Sequence, residues 1–241
     1  MPPPGLPQPQ GLYHPSREHD SCGVRLLCHV KGRKSNELVQ NALRMCENMA
    51  HRGGCGCDPD TGDGAGLLLQ LPHKFFQAVA PQAGIRLPAE GQYAAGLAYL
   101  PPDPDECLGT MTELESIVMR EGLAFLGWRD VPVYSAVLGR ASRATEPRMK
   151  QYLVGRNPSL CDAAGFERKL YLVRRLASDL IRYCGMAGSE HFYIASLSAR
   201  TLVYKGMLTT HQLGQYFPDL HHPAMETAMA LVHSRFSTNT F

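Results

Sequence analysis

The chain has 241 residues, of which 44% are hydrophobic, so it is long enough for one large globular domain or two small ones. Its 24 basic and 22 acidic residues are interspersed and leave a net charge of +2, which argues against nucleic-acid binding. No run approaches the roughly 18 apolar residues that cross a bilayer, and the first residues lack the basic and apolar regions of a secretory signal. We therefore predict a cytoplasmic protein that does not bind membranes and whose eight cysteines are mostly reduced.

The N-terminal region predicts a leader followed by a strand and a helix. Residues 1–19 are rich in Pro, Gly and Gln and can bury almost nothing, so the fold begins at about Cys22. The apolar run from Gly23 to Val30 predicts a first strand with Cys22 at its very start. Ser35 is placed to cap a helix that continues to Ala50.

Strands and helices alternate loosely along the rest of the chain. Strands are predicted over residues 67–71, 94–100, 135–138, 191–197, 201–204 and 228–232, and helices over 73–80, 112–121 and 166–181. The short connection 198–200 predicts a hairpin between two of these strands. The basic side of the helix over 166–181 is interpreted as solvated surface.

A glycine-rich segment at 51–66 permits several interpretations. Its glycine density predicts irregular backbone or the close approach of other groups. The series Gly62-x-Gly64-x-Gly66 lacks dinucleotide-binding spacing and precedes a strand instead of opening a helix. A calcium loop is disfavoured because Leu69 stands where its bidentate glutamate belongs.

Four soft ligands in and beside this segment leave a metal-binding interaction module open as an alternative. They are Cys46, His51, Cys55 and Cys57. The C-x-C spacing is tighter than that of a zinc knuckle, and Cys46 falls on the predicted helix. We expect no metal here, and elemental analysis of the purified chain distinguishes the two interpretations.

Five blocks of sequence carry a resemblance to a known family. They are Gly11–Tyr13, Glu18–Val24, His51–Gly66, Tyr204–Leu208 and His233–Phe241. Together, and in this order, they resemble the N-terminal glutaminase domain of the glutamate synthase large-subunit family, in its bacterial NADPH-dependent form. The resemblance extends from about residue 11 to the last residue. Other class II amidotransferases, such as purine-pathway or asparagine-forming enzymes, match the Gly-Asp-Gly-Ala-Gly and Tyr-Lys-Gly-Met blocks less well.

The resemblance implies a fold and a nucleophile. The implied fold is α+β, the αββα four-layer sandwich of the Ntn hydrolases, incomplete in this fragment, with residues 1–21 as a removable propeptide and 22–241 as part of a class II amidotransferase domain. Cys22 would be the first residue of the mature chain and the catalytic nucleophile. A free α-amino group, with a pKa near 7.7 to 8.0, can take the thiol proton at neutral pH, whereas an amide nitrogen cannot.

The resemblance also implies the substrate and its ligands. The thiolate of Cys22 would attack the side-chain amide of glutamine, release ammonia and leave a thioester for hydrolysis to glutamate. Arg235 would bind the substrate carboxylate, since a planar guanidinium suits a carboxylate bidentately. Thr238 and Asn239 would line the same pocket, and Arg52 would support it or form a structural ion pair.

Cofactors and partners implied by the resemblance belong to the full-length protein. The glutaminase would supply ammonia for transfer to 2-oxoglutarate at a separate synthase domain. FMN and an iron–sulfur cluster would lie in sequence absent from this chain, which itself would hold no cofactor and no metal. An NADPH-oxidising small subunit and the remaining synthase domains would be partners, and the choice between NADPH and ferredoxin stays open.

Two departures from the family pattern bear on activity. Arg25 stands where the family usually has glycine, and an unpaired charge would be costly there if it were buried. The family's Asn-Gly oxyanion donors lie downstream of the His233–Phe241 block, beyond the residues of this chain. An inactive truncated product is therefore an alternative.

We expect residues 1–241 alone to have little or no glutaminase activity, because loss of one oxyanion donor costs about 10² to 10³ in rate. Glutamine-dependent ammonia release by the purified chain measures this directly. Readily detected release would contradict the prediction.

Overall fold

Two antiparallel sheets form the framework of the protein. The computed structural model describes residues 8–11, 14, 23–54, 58–159 and 161–235. Within these ranges the strands are β1 (Val24–Cys28), β2 (Ala65–Gln70), β3 (Tyr93–Leu100), β4 (Ala124–Asp130), β5 (Arg148–Gly155), β6 (Tyr193–Ser198), β7 (Thr201–Gly206) and β8 (Met229–His233). One sheet has the order β1-β8-β2-β7 and the other β4-β5-β3-β6. The α+β class implied by the family resemblance is confirmed.

Helices pack on both sheets. They are α1 (Asn36–Glu47), α2 (His73–Val79), α3 (Pro104–Arg120), α4 (Arg140–Ala144), α5 (Ala163–Ala177) and α6 (Gln212–Tyr216). A π-helical turn, Ser178–Arg182, extends α5. Across the described ranges, no helix is both long enough and apolar enough to cross a membrane.

Helix α1 packs against the first sheet. Helix α1 begins after Ser35, whose side chain accepts a hydrogen bond from the N–H of Leu38 at 3.2 Å, as the sequence predicts. The helix buries Val39, Ala42 and Cys46 in the core beside β8, β1 and β2. Its apolar spacing therefore fixes the helix over the centre of this sheet.

The second sheet lies between two cores. Along β3, Ala95 and Leu97 belong to the core shared with the first sheet, whereas Ala94 and Ala98 belong to a core shared with α3 and α5. Successive strand residues point to opposite faces, so β3 is buried on both sides. This explains its nearly continuous apolar sequence.

A buried polar network joins the two sheets. Arg129 on β4 donates two hydrogen bonds to Asp219, at 2.7 and 2.8 Å, and a third to Gln151 on β5 at 2.8 Å. Gln151 donates to the hydroxyl of Tyr204 on β7 at 2.8 Å, and that hydroxyl donates to Asp219 at 2.9 Å. Burial raises the pKa of Tyr204 well above its usual value, and Asp219 adds to the effect, so the phenol stays a donor.

Three sequence-based assignments need correction. Residues 135–138, predicted as a strand, contain a 3-10 turn, Ser135–Val137. Strands β4 and β5 were not predicted, because half-buried and polar residues interrupt their apolar pattern. The predicted hairpin is wrong, since β6 pairs with β3 and β7 pairs with β2 across the two sheets. The connection is held by Glu167, which accepts from the Ser198 hydroxyl and the Ala199 N–H.

Arg25 does not introduce a buried charge. It lies on β1, an edge strand of the first sheet, and its side chain is exposed. The cost that an unpaired inward charge would carry therefore does not arise.

We predict that Asp219→Ala lowers the free energy of unfolding by about 3–5 kcal/mol, because it leaves the Arg129 charge buried without its partner. Urea unfolding followed by circular dichroism measures the loss. Asp130→Ala is the matched control. It also removes the carboxylate of an ion pair, the one with Lys150, but the Asp130 side chain is 84% exposed, so the substitution should lower the free energy of unfolding by less than about 1 kcal/mol. Equal losses in the two variants would contradict the role of the network.

Candidate active site

The beginning of β1 and the end of β8 meet at one corner of the first sheet. Val24 pairs with His233, and the N–H of Ser234 donates to the carbonyl of Gly23 at 2.9 Å. A Cβ added to Gly23 would lie 2.0 Å from the Ser234 Oγ, so no side chain fits there without displacing its neighbours. Only glycine allows the two strands to approach this closely beside residue 22.

A short turn after α1 closes the same corner. The 3-10 turn Ala50–Arg52 places the Arg52 Cβ 3.0 Å from the position that a Gly23 Cβ would take. Cys46, at the end of α1, donates its thiol to the carbonyl of His233 at 3.7 Å. Burial raises the pKa of Cys46 to about 12, and Glu47 adds to the effect, so this thiol is not a nucleophile near neutral pH.

The glycine-rich segment returns to this corner through β2. Gly66 lies opposite both His233 on β8 and Lys205 on β7. A Cβ at Gly66 would lie 2.2 Å from the His233 Nε2 and 2.9 Å from the Lys205 Cβ. The described parts of four of the five sequence blocks therefore converge at one corner, which we call the strand junction, comprising Gly23, Arg52, Gly66, Lys205 and His233–Arg235.

A cavity of about 520 Å³ adjoins the strand junction. Gly53, Gly54 and Ser234 line it on the junction side, and residues 209–212 form a second wall. Gln212 holds this second wall in place, because its side-chain amide donates to the carbonyls of Asp60 and Val137 at 2.7 and 2.6 Å. The cavity is large enough for a small polar metabolite.

Two of the five predicted site residues, Arg52 and Arg235, lie in the described part of the chain. Arg235 follows Ser234 directly and is half-buried, and Arg52 is exposed at the strand junction. Cys22, Thr238 and Asn239 lie outside the described residues. Sequence reasoning did not identify the contacts of Ser234 with Gly23 or of His233 with Gly66, because glycine spacing alone does not say which side chain fills the space.

In the loop beside the cavity, the carboxylate of Asp58 accepts local hydrogen bonds. Asp58 accepts from the N–H of Asp60 at 3.1 Å and from the hydroxyl of Thr61 at 2.9 Å. The Thr61 hydroxyl, together with the Ala141 N–H, holds the pKa of Asp58 below its usual value. Within the described ranges, no group of three or more His, Cys, Asp or Glu side chains could hold a metal ion. Two of the four soft ligands, Cys55 and Cys57, lie outside those ranges.

Comparison with known sequences assigns the family. The sequence profile of the glutamine amidotransferases class-II family matches residues 22–241, which is most of the chain. The chain therefore belongs to the class II glutamine amidotransferases, and the family resemblance inferred from the five blocks is confirmed.

Three curated relatives show where similar sequences occur. The chain is 42% identical over 236 residues to the glutamate synthase [NADPH] large chain of Bacillus subtilis, with 98% of the chain and 15% of the relative covered. It is 42% identical over 242 residues to glutamate synthase [NADH] of Schizosaccharomyces pombe, with 98% and 11% covered. It is 36% identical over 223 residues to ferredoxin-dependent glutamate synthase 2 of Synechocystis, with 92% and 14% covered. The chain spans less than one sixth of each relative.

We predict that Gly23→Ala destabilises the protein by about 1–3 kcal/mol, because the new methyl group collides with Ser234 and Arg52. Combining it with Ser234→Gly, which removes the nearest atom, should recover about 1 kcal/mol or more in a double-mutant cycle of unfolding free energies. Gly109→Ala is the control, since its nearest contact is the flexible end of Met186 at 3.4 Å and a helical alanine is favourable. Strict additivity of the two substitutions would contradict the contact.

Proposed function

We propose that this chain is the glutaminase part of a glutamate synthase and that Cys22 is its N-terminal nucleophile. Membership of the class II amidotransferases supports the reaction class. The observation that carries the proposal is the strand junction, where Ser234 binds Gly23 and leaves room only for glycine next to residue 22.

The proposed chemistry begins with the removal of residues 1–21. The α-amino group of Cys22 then takes the thiol proton, and the sulfur attacks the side-chain amide carbon of glutamine. A C–S bond forms, the C–N bond breaks, and the nitrogen leaves as ammonia after accepting the proton. Water then hydrolyses the thioester to glutamate and restores the thiol.

The substrate ligands follow from the same proposal. Arg235 binds the α-carboxylate of glutamine, because its guanidinium offers paired donors in one plane. Thr238 and Asn239 line the pocket beyond it, and Arg52 supports the strand junction. The two sheets with helices on each are consistent with the four-layer αββα sandwich of the Ntn hydrolases, which we propose for the complete domain.

The whole protein would couple this reaction to glutamate synthesis. Ammonia would pass to 2-oxoglutarate at a synthase domain outside this chain, where FMN and an iron–sulfur cluster would carry electrons. The partners proposed are glutamine, the remaining synthase domains and an NADPH-oxidising small subunit. Relatives named for NADPH, NADH and ferredoxin are all similar to this chain, so the electron donor is not assigned. A cytoplasmic location stays a prediction.

We predict that a chain beginning at Cys22 is alkylated by iodoacetamide at that residue roughly tenfold faster at pH 7 than a chain that retains Ser21. A neighbouring ammonium lowers the pKa of a thiol, and an amide does not. Rates are measured by peptide mapping, since the other cysteines react in the same tube.

The exposed thiol of Cys184 is the internal control and should react equally in both chains. Equal rates at Cys22 in the two chains would contradict the proposed amine–thiol pair. Fully active enzyme whose N-terminus is Met1 or Pro2 would contradict the processing step.

A further inference from the structure

The imidazole of His233 forms a hydrogen bond with the backbone of Arg235. Its Nδ1 lies 3.3 Å from the Arg235 carbonyl oxygen. A carbonyl can only accept, so the Nδ1 carries the hydrogen and the Nε2 is left as an acceptor. The ring therefore closes a short loop over the end of β8, from residue 233 to residue 235.

Gly66 provides the space that this ring occupies. The Nε2 lies 2.2 Å from the position of a Gly66 Cβ, and the Lys205 Cβ lies 2.9 Å from the same position. Any side chain at residue 66 would displace the imidazole from its position against Gly66. The last glycine of the Gly-Asp-Gly-Ala-Gly block thus has a steric function that its spacing alone does not reveal.

The environment favours the neutral form of the ring. Burial lowers the pKa of His233, and Lys205 lowers it further, whereas the Arg235 carbonyl opposes this shift. A neutral imidazole does not itself attract a carboxylate. Its contribution to binding is therefore geometric.

We propose that His233 is a positioning residue that aims the Arg235 guanidinium at the substrate carboxylate, with Gly66 as the slot that holds its ring. The inference rests on the proposed function, in which Arg235 binds that carboxylate. Arg235 lies two residues beyond the end of β8, next to Ser234, whose N–H bonds the Gly23 carbonyl. The His233 bond adds a second restraint on this backbone, at the Arg235 carbonyl, and bidentate binding of a carboxylate depends on the resulting orientation.

The test measures how L-glutamate, which carries the α-carboxylate, slows the alkylation of Cys22 by iodoacetamide. The chain beginning at Cys22 is compared with its His233→Ala, His233→Asn and Gly66→Ala variants. We expect His233→Ala and Gly66→Ala to weaken glutamate protection about tenfold. His233→Asn should stay within about threefold of the parent, because its amide can donate to the same carbonyl. The alkylation rate without glutamate is measured in each variant, so that a change in thiol reactivity is not taken for a change in affinity.

His221→Ala is the matched control. That imidazole also contacts a backbone carbonyl, of Gly214 at 3.2 Å, but it lies outside the strand junction, so glutamate protection should not change. Circular dichroism checks that each variant folds. If the His233→Ala variant does not fold, glutamate protection is compared between the Gly66→Ala and His233→Asn variants instead.

The outcomes separate the inference from the function on which it rests. If a folded His233→Ala or Gly66→Ala variant is protected by glutamate as well as the parent chain is, the inference is overturned. It is also overturned if glutamate protects the His233→Asn variant as weakly as it protects the Gly66→Ala variant. Absence of protection in the parent chain would instead contradict the proposed role of Arg235 as the carboxylate ligand.

Discussion

The buried pair of Arg129 and Asp219 is the interaction on which the arrangement of the two sheets depends. Arg129 and Gln151 belong to one sheet and Tyr204 to the other, and every polar group linking them has a partner. A satisfied network of this kind specifies one relative position of its elements, because any shift leaves a charge buried and unpaired. Tyr204 adjoins Lys205 at the strand junction, so the network also fixes one wall of the candidate site.

The candidate site depends on the close approach of side chains to the backbone at two glycines. Glycine at residues 23 and 66 lets Ser234 and His233 occupy space that a methyl group would fill. Along the sequence His-Ser-Arg, His233 contacts the Arg235 carbonyl and Ser234 binds Gly23. The run His233–Arg235, at and just after the end of β8, thus connects Gly23 with Arg235, the proposed substrate ligand.

The sequence predicted the parts of this arrangement that have local causes. The Ser35 cap, helix α1 and the apolar strands β2 and β3 follow from capping and periodicity. Strands β4 and β5 were missed because Arg129 and Gln151 interrupt their apolar pattern, and these are the residues that build the buried network. The false hairpin at 198–200 had a different cause, since the assignment of β6 and β7 to separate sheets is a tertiary effect that local sequence does not encode. The family blocks indicated which segments to compare, but the contacts between them required the register of β1, β2 and β8.

The central claim is that Cys22 becomes the nucleophile of a glutamine site at the strand junction. The most direct measurement is covalent labelling by a glutamine analogue that carries a diazoketone in place of the side-chain amide, followed by mass mapping. We predict a single adduct on Cys22 that free glutamate prevents and that Arg235→Ala suppresses. Labelling spread over the exposed thiols of Cys28 and Cys184, or labelling of Cys22 unaffected by glutamate, would contradict it.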